Sequence, residues 1–506
     1  PYCLMVKFGN KPYVDLRGSF NSLIPKTFNK IQKTKLINFY LKKLDTNRHL
    51  HDKIEFEILF SCFDLGINSR LKELRKYNFT NEEIQDIKNT LTVFTNEIIS
   101  SFPKIQKNCE KSIYQLSKNR KQILANLNSK SNYRDFLLSA EELLKNCRKF
   151  GTLPFSTMAR ISFIGSILLK SLKNEKHISE NFTENFMASI STPLSKIQND
   201  SYLLTKNKIS RNQFLKKYGH LRPGTYDITA SRYDKEKDFF ENIKFLKKNT
   251  ISKISIDKNE LSKIFSKRGI EFSNISFLEF VEKSITQREN LKFEFTKNLS
   301  EVIELIAKAG SELGFSRTEM SHLSISSIYS YKKYTKILLK QKWKKQIYSQ
   351  MEKSNLAKFL ILPPILSSEK DFNFIQYFTS KPNFITSKKI TGELIFLKHF
   401  EQKKINLENK IVVIENADPG YDWIFSKNPL GLITKYGGIA SHMSIRCSEM
   451  GLPAAIGCGE ILFEQLINSS KVLLDGKNEQ LIMQEQKHHD EYIEERKVLK
   501  SLGYIK

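Results

Sequence analysis

At 506 residues the chain exceeds what one hydrophobic core usually supports, so at least two domains are expected. Lys+Arg 82 against Asp+Glu 54 gives a formal net charge of +28, but the basic residues are mostly Lys spread among Asn, Ile and Phe, which argues against a nucleic-acid partner. No apolar run reaches ~18 residues and no leader is visible, so no membrane partner is expected, and the 6 Cys lack CxxC or zinc-like spacing and read as free thiols of a cytoplasmic protein.

The chain opens on Pro1 without an initiator Met and is read as a piece of a longer protein. In residues 1–26, two short β-like runs flank a Gly9-Asn10-Lys11-Pro12 turn. Residues 27–358 read as a large, irregular, mainly α-helical domain. Ile31, Leu36, Ile37, Tyr40 and Leu41 repeat at helical spacing. Further helices are predicted over 81–100, 104–126, 133–149, 159–173, 238–248 and 277–309. Asn81-Glu82-Glu83 opens one with acid in its first turn, and Ser316-Arg317-Thr318-Glu319 has capping-box spacing.

Within this domain, Gly and Pro break the helical pattern between Tyr218 and Tyr233. The loop gathers His220, Arg222, Asp227 and Arg232. Arginine suits bidentate recognition of a carboxylate or phosphate. These four are the candidate acceptor-binding residues, and a structural loop whose arginine pairs with Asp227 is the alternative.

The texture changes at Phe359. Short strands are predicted at 383–386 and 393–396 within a connector over 359–404, with Lys403-Lys404 as a hinge. The last domain, 405–485, holds a buried strand at 411–414 and a strand and turn at 472–476. A polar helical tail, 486–506, follows. From Glu401 onward 13 Lys+Arg face 15 Asp+Glu, so the basic excess lies upstream of this domain.

The most informative stretch is Tyr436-Gly437-Gly438-Ile439-Ala440-Ser441-His442-Met443-Ser444-Ile445-Arg446. An apolar strand at 430–434 leads into Gly437 and Gly438, which permit a tight turn. Ser441 stands at an N-cap position, a helix is predicted over 442–450, Gly451 ends it and Pro453 prevents its continuation. His442 thus projects from the first turn of a helix, where backbone N–H groups favour an anion. Imidazole is a nucleophile, and a phosphorylated His442 would place an anion on that site. The plain alternative is a histidine at the start of a helix in a β/α domain.

Gly437, Gly438, Ser441, His442, Arg446, Glu449, Gly451, Pro453, Ala454 and Gly457 occur in the order and spacing of a known pattern. The segment resembles the phosphohistidine motif of the PEP-utilising enzyme mobile domain, shared by pyruvate phosphate dikinases, phosphoenolpyruvate synthases and rifampicin phosphotransferases. Ser444 and Cys447 stand where the family usually has Ala. Residues 218–233 partly resemble a segment of the helical domain of rifampicin phosphotransferase-like proteins, with Thr225 near the family's Glu.

The resemblance implies a multidomain fold, a large mainly α-helical domain followed by a small β/α swivelling phosphohistidine domain. It implies His442 as the phosphoryl carrier, with Ser441, Arg446, Gly437 and Gly438 stabilising the phosphoryl group. It further implies ATP and Mg2+ bound by an ATP-grasp domain, in cis upstream or in trans, because the sequence shows no Gly-rich phosphate loop or paired metal carboxylates. No metal ligands are assigned to this chain. A small-molecule acceptor would bind the helical domain. The domain order resembles rifampicin phosphotransferases. The N-terminal segment and the Lys/Asn/Ile-rich texture resemble kinases that phosphorylate the side-chain amide nitrogen of L-glutamine for capsular phosphoramidate. An antibiotic phosphotransferase, a PEP synthase-like enzyme and a non-catalytic regulatory or binding module are the alternatives.

Overall fold

The computed structural model describes residues 4–9, 11–222, 226–235, 258–357, 362–372, 381–397, 405–417, 419–439, 441–486, 498–499 and 501–503. The chain divides into two compact units. One comprises Pro1–Gln376 with Asp418–Ser426, the other Tyr377–Ala417 with Lys427–Lys506.

Among its described residues the first unit is helical apart from a small hairpin. Strands β1 (Met5–Phe8) and β2 (Lys11–Val14) pair antiparallel, so Lys11 and Pro12, expected in the turn, belong to the second strand. The Phe277–Glu312 helix is central and packs against the Asn81–Ala125, Tyr133–Asn146 and Leu153–Asn174 helices. Phe277, Phe280, Val281, Leu291, Val302 and Ala309 supply its apolar contacts. The helix is buried on more than one face, so Glu289, Glu294 and Glu304 are buried as well. Buried carboxylates need partners. Arg288 pairs with Glu289 at 2.8 Å, Arg120 with Glu294 at 2.5 Å, and Arg222 with Glu304 at 3.0 Å.

Two predicted breaks are not breaks. Residues 81–100 and 104–126 form one helix, Asn81–Ala125, that runs through Pro103. Pro103 is itself exposed, and the helix continues past it because its neighbours Ile99 and Phe102 are packed in the core. Similarly, the Tyr133–Asn146 helix continues through a π turn, Cys147–Thr152, into Leu153–Asn174. The joined run Tyr133–Asn174 is long and apolar enough to cross a membrane by length and composition. In the structure Leu137, Ala140, Leu143, Ile161, Leu168 and Leu172 of this run are at most 1% exposed, as core residues are. The helix predicted at 238–248 lies outside the described residues.

The second unit is a seven-stranded sheet. Its strands are β3 (Asn383–Ile385), β4 (Lys389–Phe396), β5 (Ile411–Asn416), β6 (Gly431–Tyr436), β7 (Ala454–Ile456), β8 (Ser469–Asp475) and β9 (Gln480–Gln486). The order is β3-β7-β6-β5-β4-β8-β9. The four middle strands are parallel, and β3, β8 and β9 pair antiparallel at the edges. Ile411–Ile414 and Gly431–Thr434 are buried at every position, as the inner strands of a parallel sheet require. Ile411, Val413, Ile433, Phe463, Leu466 and Leu474 build the core.

Strands β3 and β4, expected in a connector, are integral to this sheet, with β4 hydrogen-bonded between β5 and β8. Strand β9 closes the expected last domain and ends at Gln486, the first residue of the expected helical tail. Residues 487–497 and the expected hinge at Lys403-Lys404 lie outside the described residues. Cys62, Cys109, Cys147, Cys447 and Cys458 are buried and none is in a disulfide. Burial pushes the Cys109 thiol up to about 11 and Cys62, Cys147 and Cys458 up to about 12, so these are inert core groups.

Candidate functional site

The site forms where β6 leaves the sheet. Beyond Tyr436 the backbone turns at Gly437, whose φ is +137°. A β-carbon there would lie 2.5 Å from Ala417 Cβ and 3.1 Å from Ile456 Cγ2, so no side chain fits. Ser441 N–H donates to the Gly438 carbonyl at 2.9 Å and closes the turn.

Ser441 then caps the His442–Met450 helix. Its extended backbone (φ −66°, ψ 157°) presents Oγ to the Ser444 N–H at 3.3 Å. Ser444 adds a link that the motif alone does not signal. Its Oγ donates to the Gly438 carbonyl at 2.7 Å and lies 2.9 Å from Ser441 Oγ. A hydroxyl has one proton, so Ser441 Oγ is the donor of that last bond. The resting Ser441 hydroxyl therefore organises the turn. At the other end Gly451 adopts a left-handed conformation (φ +59°), and Lys388 Nζ donates to its carbonyl at 2.7 Å. A cation at the C-terminus complements the helix dipole.

His442 occupies the first helical position, half-buried, and Arg446 follows one turn later on the same face. Arg446 Nε donates to His442 Nε2 at 3.3 Å. A guanidinium only donates, so Nε2 is the accepting nitrogen in this contact. Another turn on, Arg446 Nη1 meets Glu449 Oε2 at 2.7 Å, with both side chains 5% exposed. Gly437, Gly438, Ser441, His442 and Arg446 thus lie together beyond the end of β6. Ala440 lies outside the described residues. Burial and then the Glu460 carboxylate raise the Tyr436 phenol well above its ordinary value, so it stays protonated.

The acceptor-binding candidates lie in the helical unit, where each has local partners. Arg222 is buried. Its Nη1 donates to the Ala230 carbonyl at 3.2 Å, and its Nη2 reaches Ser300 Oγ and Glu304 Oε1, each at 3.0 Å. Arg232 pairs with Asp234 and Glu301, each at 2.7 Å. Asp227 Oδ1 accepts from the Thr229 N–H and hydroxyl at 2.8 and 2.7 Å, a local turn. Pairing of Arg222 with the Asp227 backbone carbonyl, at 3.4 Å, is the weakest of its contacts. Thr225 lies outside the described residues.

His220 is 8% exposed, its ring edge-on to Phe293 at 4.9 Å between centroids. Burial, then the positive charges of Lys297, Arg232 and Arg120, hold it well below the ordinary histidine value. Its Nε2 has no hydrogen-bond partner among the described residues. The unfolded chain therefore binds a proton below about pH 6.5 that the folded chain refuses, and stability is lost as pH is lowered, by up to ~1.4 kcal/mol per unit. Urea midpoints between pH 7.5 and 5 are expected to fall more steeply in the wild type than in His220→Gln.

Among the described residues no three His, Cys, Asp or Glu side chains converge as metal ligands.

A parallel strand, a glycine turn and a serine-capped helix opening on histidine make the sheet unit a β/α module that offers a half-buried imidazole at a helix N-terminus. Residues 406–479 match the family described as PEP-utilising enzyme, mobile domain. A curated protein of Staphylothermus marinus, named probable phosphoenolpyruvate synthase, is 32% identical over 87 residues, which cover 17% of this chain and 10% of that protein. The chain matches only that tenth of the relative's length.

Proposed function

We propose that the chain is a phosphotransferase in which His442 takes up a phosphoryl group and passes it to a small acceptor. The observation that carries this reading is His442 at the first position of a Ser441-capped helix, with Arg446 Nε 3.3 Å from its Nε2, inside the segment that matches the mobile-domain family. The Nε2 lone pair attacks phosphorus, the bond to the leaving oxygen breaks, and one difficult transfer becomes two easier ones. The new phosphoryl oxygens meet a guanidinium and the positive end of a helix dipole.

The donor in this reading is ATP, handled with Mg2+ by an ATP-grasp domain in cis or in trans. Nucleotide chemistry is thereby kept apart from the acceptor step. For the acceptor we propose the amide nitrogen of L-glutamine, feeding capsular phosphoramidate. Its support is the likeness of the N-terminal segment and chain texture to glutamine kinases. The acceptor would bind the helical unit. A PEP synthase-like reaction is the second reading, favoured by the name of the Staphylothermus relative. A cytoplasmic location is proposed, in keeping with thiols that are buried and unbridged among the described residues.

The test is phosphoryl loading. The chain, with an ATP-grasp domain supplied, is incubated with ATP labelled at the β-phosphate, and acid-labile label is followed on the protein. Label that is lost in His442→Ala, and is discharged by glutamine rather than pyruvate or rifampicin, is the expected result. Discharge by pyruvate would select the second reading. Absence of label with a folded, ATP-binding nucleotide domain would leave a non-catalytic module.

A further inference from the structure

His442, Arg446 and Glu449 stand at positions i, i+4 and i+7 of one helix, and their side chains form a line of contacts. Arg446 is 4% exposed, an unusual burial for a cation, and Glu449 is equally buried. A buried guanidinium held only by van der Waals contact would carry a large desolvation cost and no fixed orientation. The Glu449 carboxylate, 2.7 Å from Nη1, offsets that cost and fixes the plane of the guanidinium. The plane in turn decides where Nε–H points, and it points at His442 Nε2.

We infer that Glu449 is a positioning residue for phosphoryl acceptance: it holds Arg446 so that Nε–H selects the Nδ1–H tautomer of His442 and leaves the lone pair on Nε2. This rests on the carrier function proposed for His442 and adds a role for a residue that acts through Arg446 rather than on the phosphoryl group itself. In the transfer step the Nε2 lone pair forms the N–P bond to a phosphoanhydride or enol-phosphate donor. The P–O bond to the leaving group breaks, the leaving oxygen keeps the electron pair, and the Nδ1 proton departs to water. Nε–H of Arg446, released from Nε2, then donates to a phosphoryl oxygen while Nη1 stays on Glu449. The carboxylate thus keeps the guanidinium in place through both states of the carrier.

The test combines imidazole 15N spectra of the full chain with loading rates. His442 signals are assigned by their loss in His442→Gln. In the wild type, Nε2 is expected to show the shift of an unprotonated nitrogen. In Glu449→Gln, which keeps the side-chain shape, the tautomer bias is expected to weaken and loading to slow on the order of 10- to 100-fold, with the donor KM little changed. An unchanged 15N pattern or an unchanged loading rate overturns the proposal. If Glu449→Gln does not fold, the double variant Arg446→Met/Glu449→Leu removes both charges together, and an unchanged 15N pattern or loading rate there overturns the proposal equally. A wild type that never loads sinks the carrier function, whereas the 15N comparison tests Glu449 independently.

Discussion

Gly457→Ala is expected to destabilise the sheet unit by about 3 kcal/mol and to abolish loading of His442. Gly457 has φ +77°, and a β-carbon there would lie 2.3 Å from the Gly437 carbonyl oxygen. Two costs add. An L-residue in the left-handed region costs roughly 1–2 kcal/mol, and overpacking that cannot relax costs about 1–3 kcal/mol. Relaxation is blocked because Gly437 is itself confined between Ala417 and Ile456. The Gly457 N–H is also tied to Thr434, at 3.1 Å to its carbonyl and 3.0 Å to its hydroxyl. Displacing the Gly437 carbonyl moves Gly438, whose carbonyl accepts from Ser441 N–H and Ser444 Oγ. The helix cap and His442 move with it. Gly451→Ala is the control. It has φ +59°, but a β-carbon there would meet only the flexible end of Lys388, Nζ at 3.4 Å, so the conformational cost dominates. Hydrogen exchange across residues 431–457 checks both variants. Equal protection in the two would refute the steric argument.

What is legible in the sequence is what is local. The Ser441 cap, the Gly451 stop and the strands on either side are set by residues within a few positions of each other, and the structure has them at 442–450, 431–436 and 454–456. The Ser316–Glu319 capping box is present for the same reason. Pro103 misleads because tertiary packing of Ile99 and Phe102 carries the helix through it, and a sequence does not announce that. Strands β3 and β4 read as connector because their partners, β7 for one and β5 and β8 for the other, lie well downstream. Ser444 reads as a small replacement for alanine, although a serine three residues after an N-cap serine is a hydroxyl aimed back at the turn. Lys388 gives no local signal, since its partner Gly451 is 63 residues away. The helical-unit arginines illustrate the same limit. Their loop is visible in sequence, but Glu304, 82 residues from Arg222, is not identifiable there as its acid.

That separation makes the Arg222–Glu304 pair the second test with a large expected effect. Glu304 accepts from Arg222 at 3.0 Å and from Arg317 at 2.5 Å, whereas the Arg222 side chain is 1% exposed and the Arg317 side chain 37%. The two halves of the pair are therefore unequal. Burial pulls the Arg222 guanidinium below its ordinary value and the Glu304 carboxylate offsets this. Glu304→Leu leaves Arg222 buried without its acid, a defect expected to cost about 3–5 kcal/mol. Arg222→Met leaves Glu304 with Arg317 and fills the space, so about 1–2 kcal/mol is expected. In Arg222→Met/Glu304→Leu the remaining Arg317 turns to solvent, and the loss should be no greater than that of Glu304→Leu alone. A coupling energy of about 2 kcal/mol from urea denaturation of all four proteins is the expected outcome. Additive losses would mean that the two groups act separately, leaving Arg222 available for a ligand. Strong coupling would identify this arginine as a support of the loop that carries His220, rather than a group awaiting a carboxylate from outside.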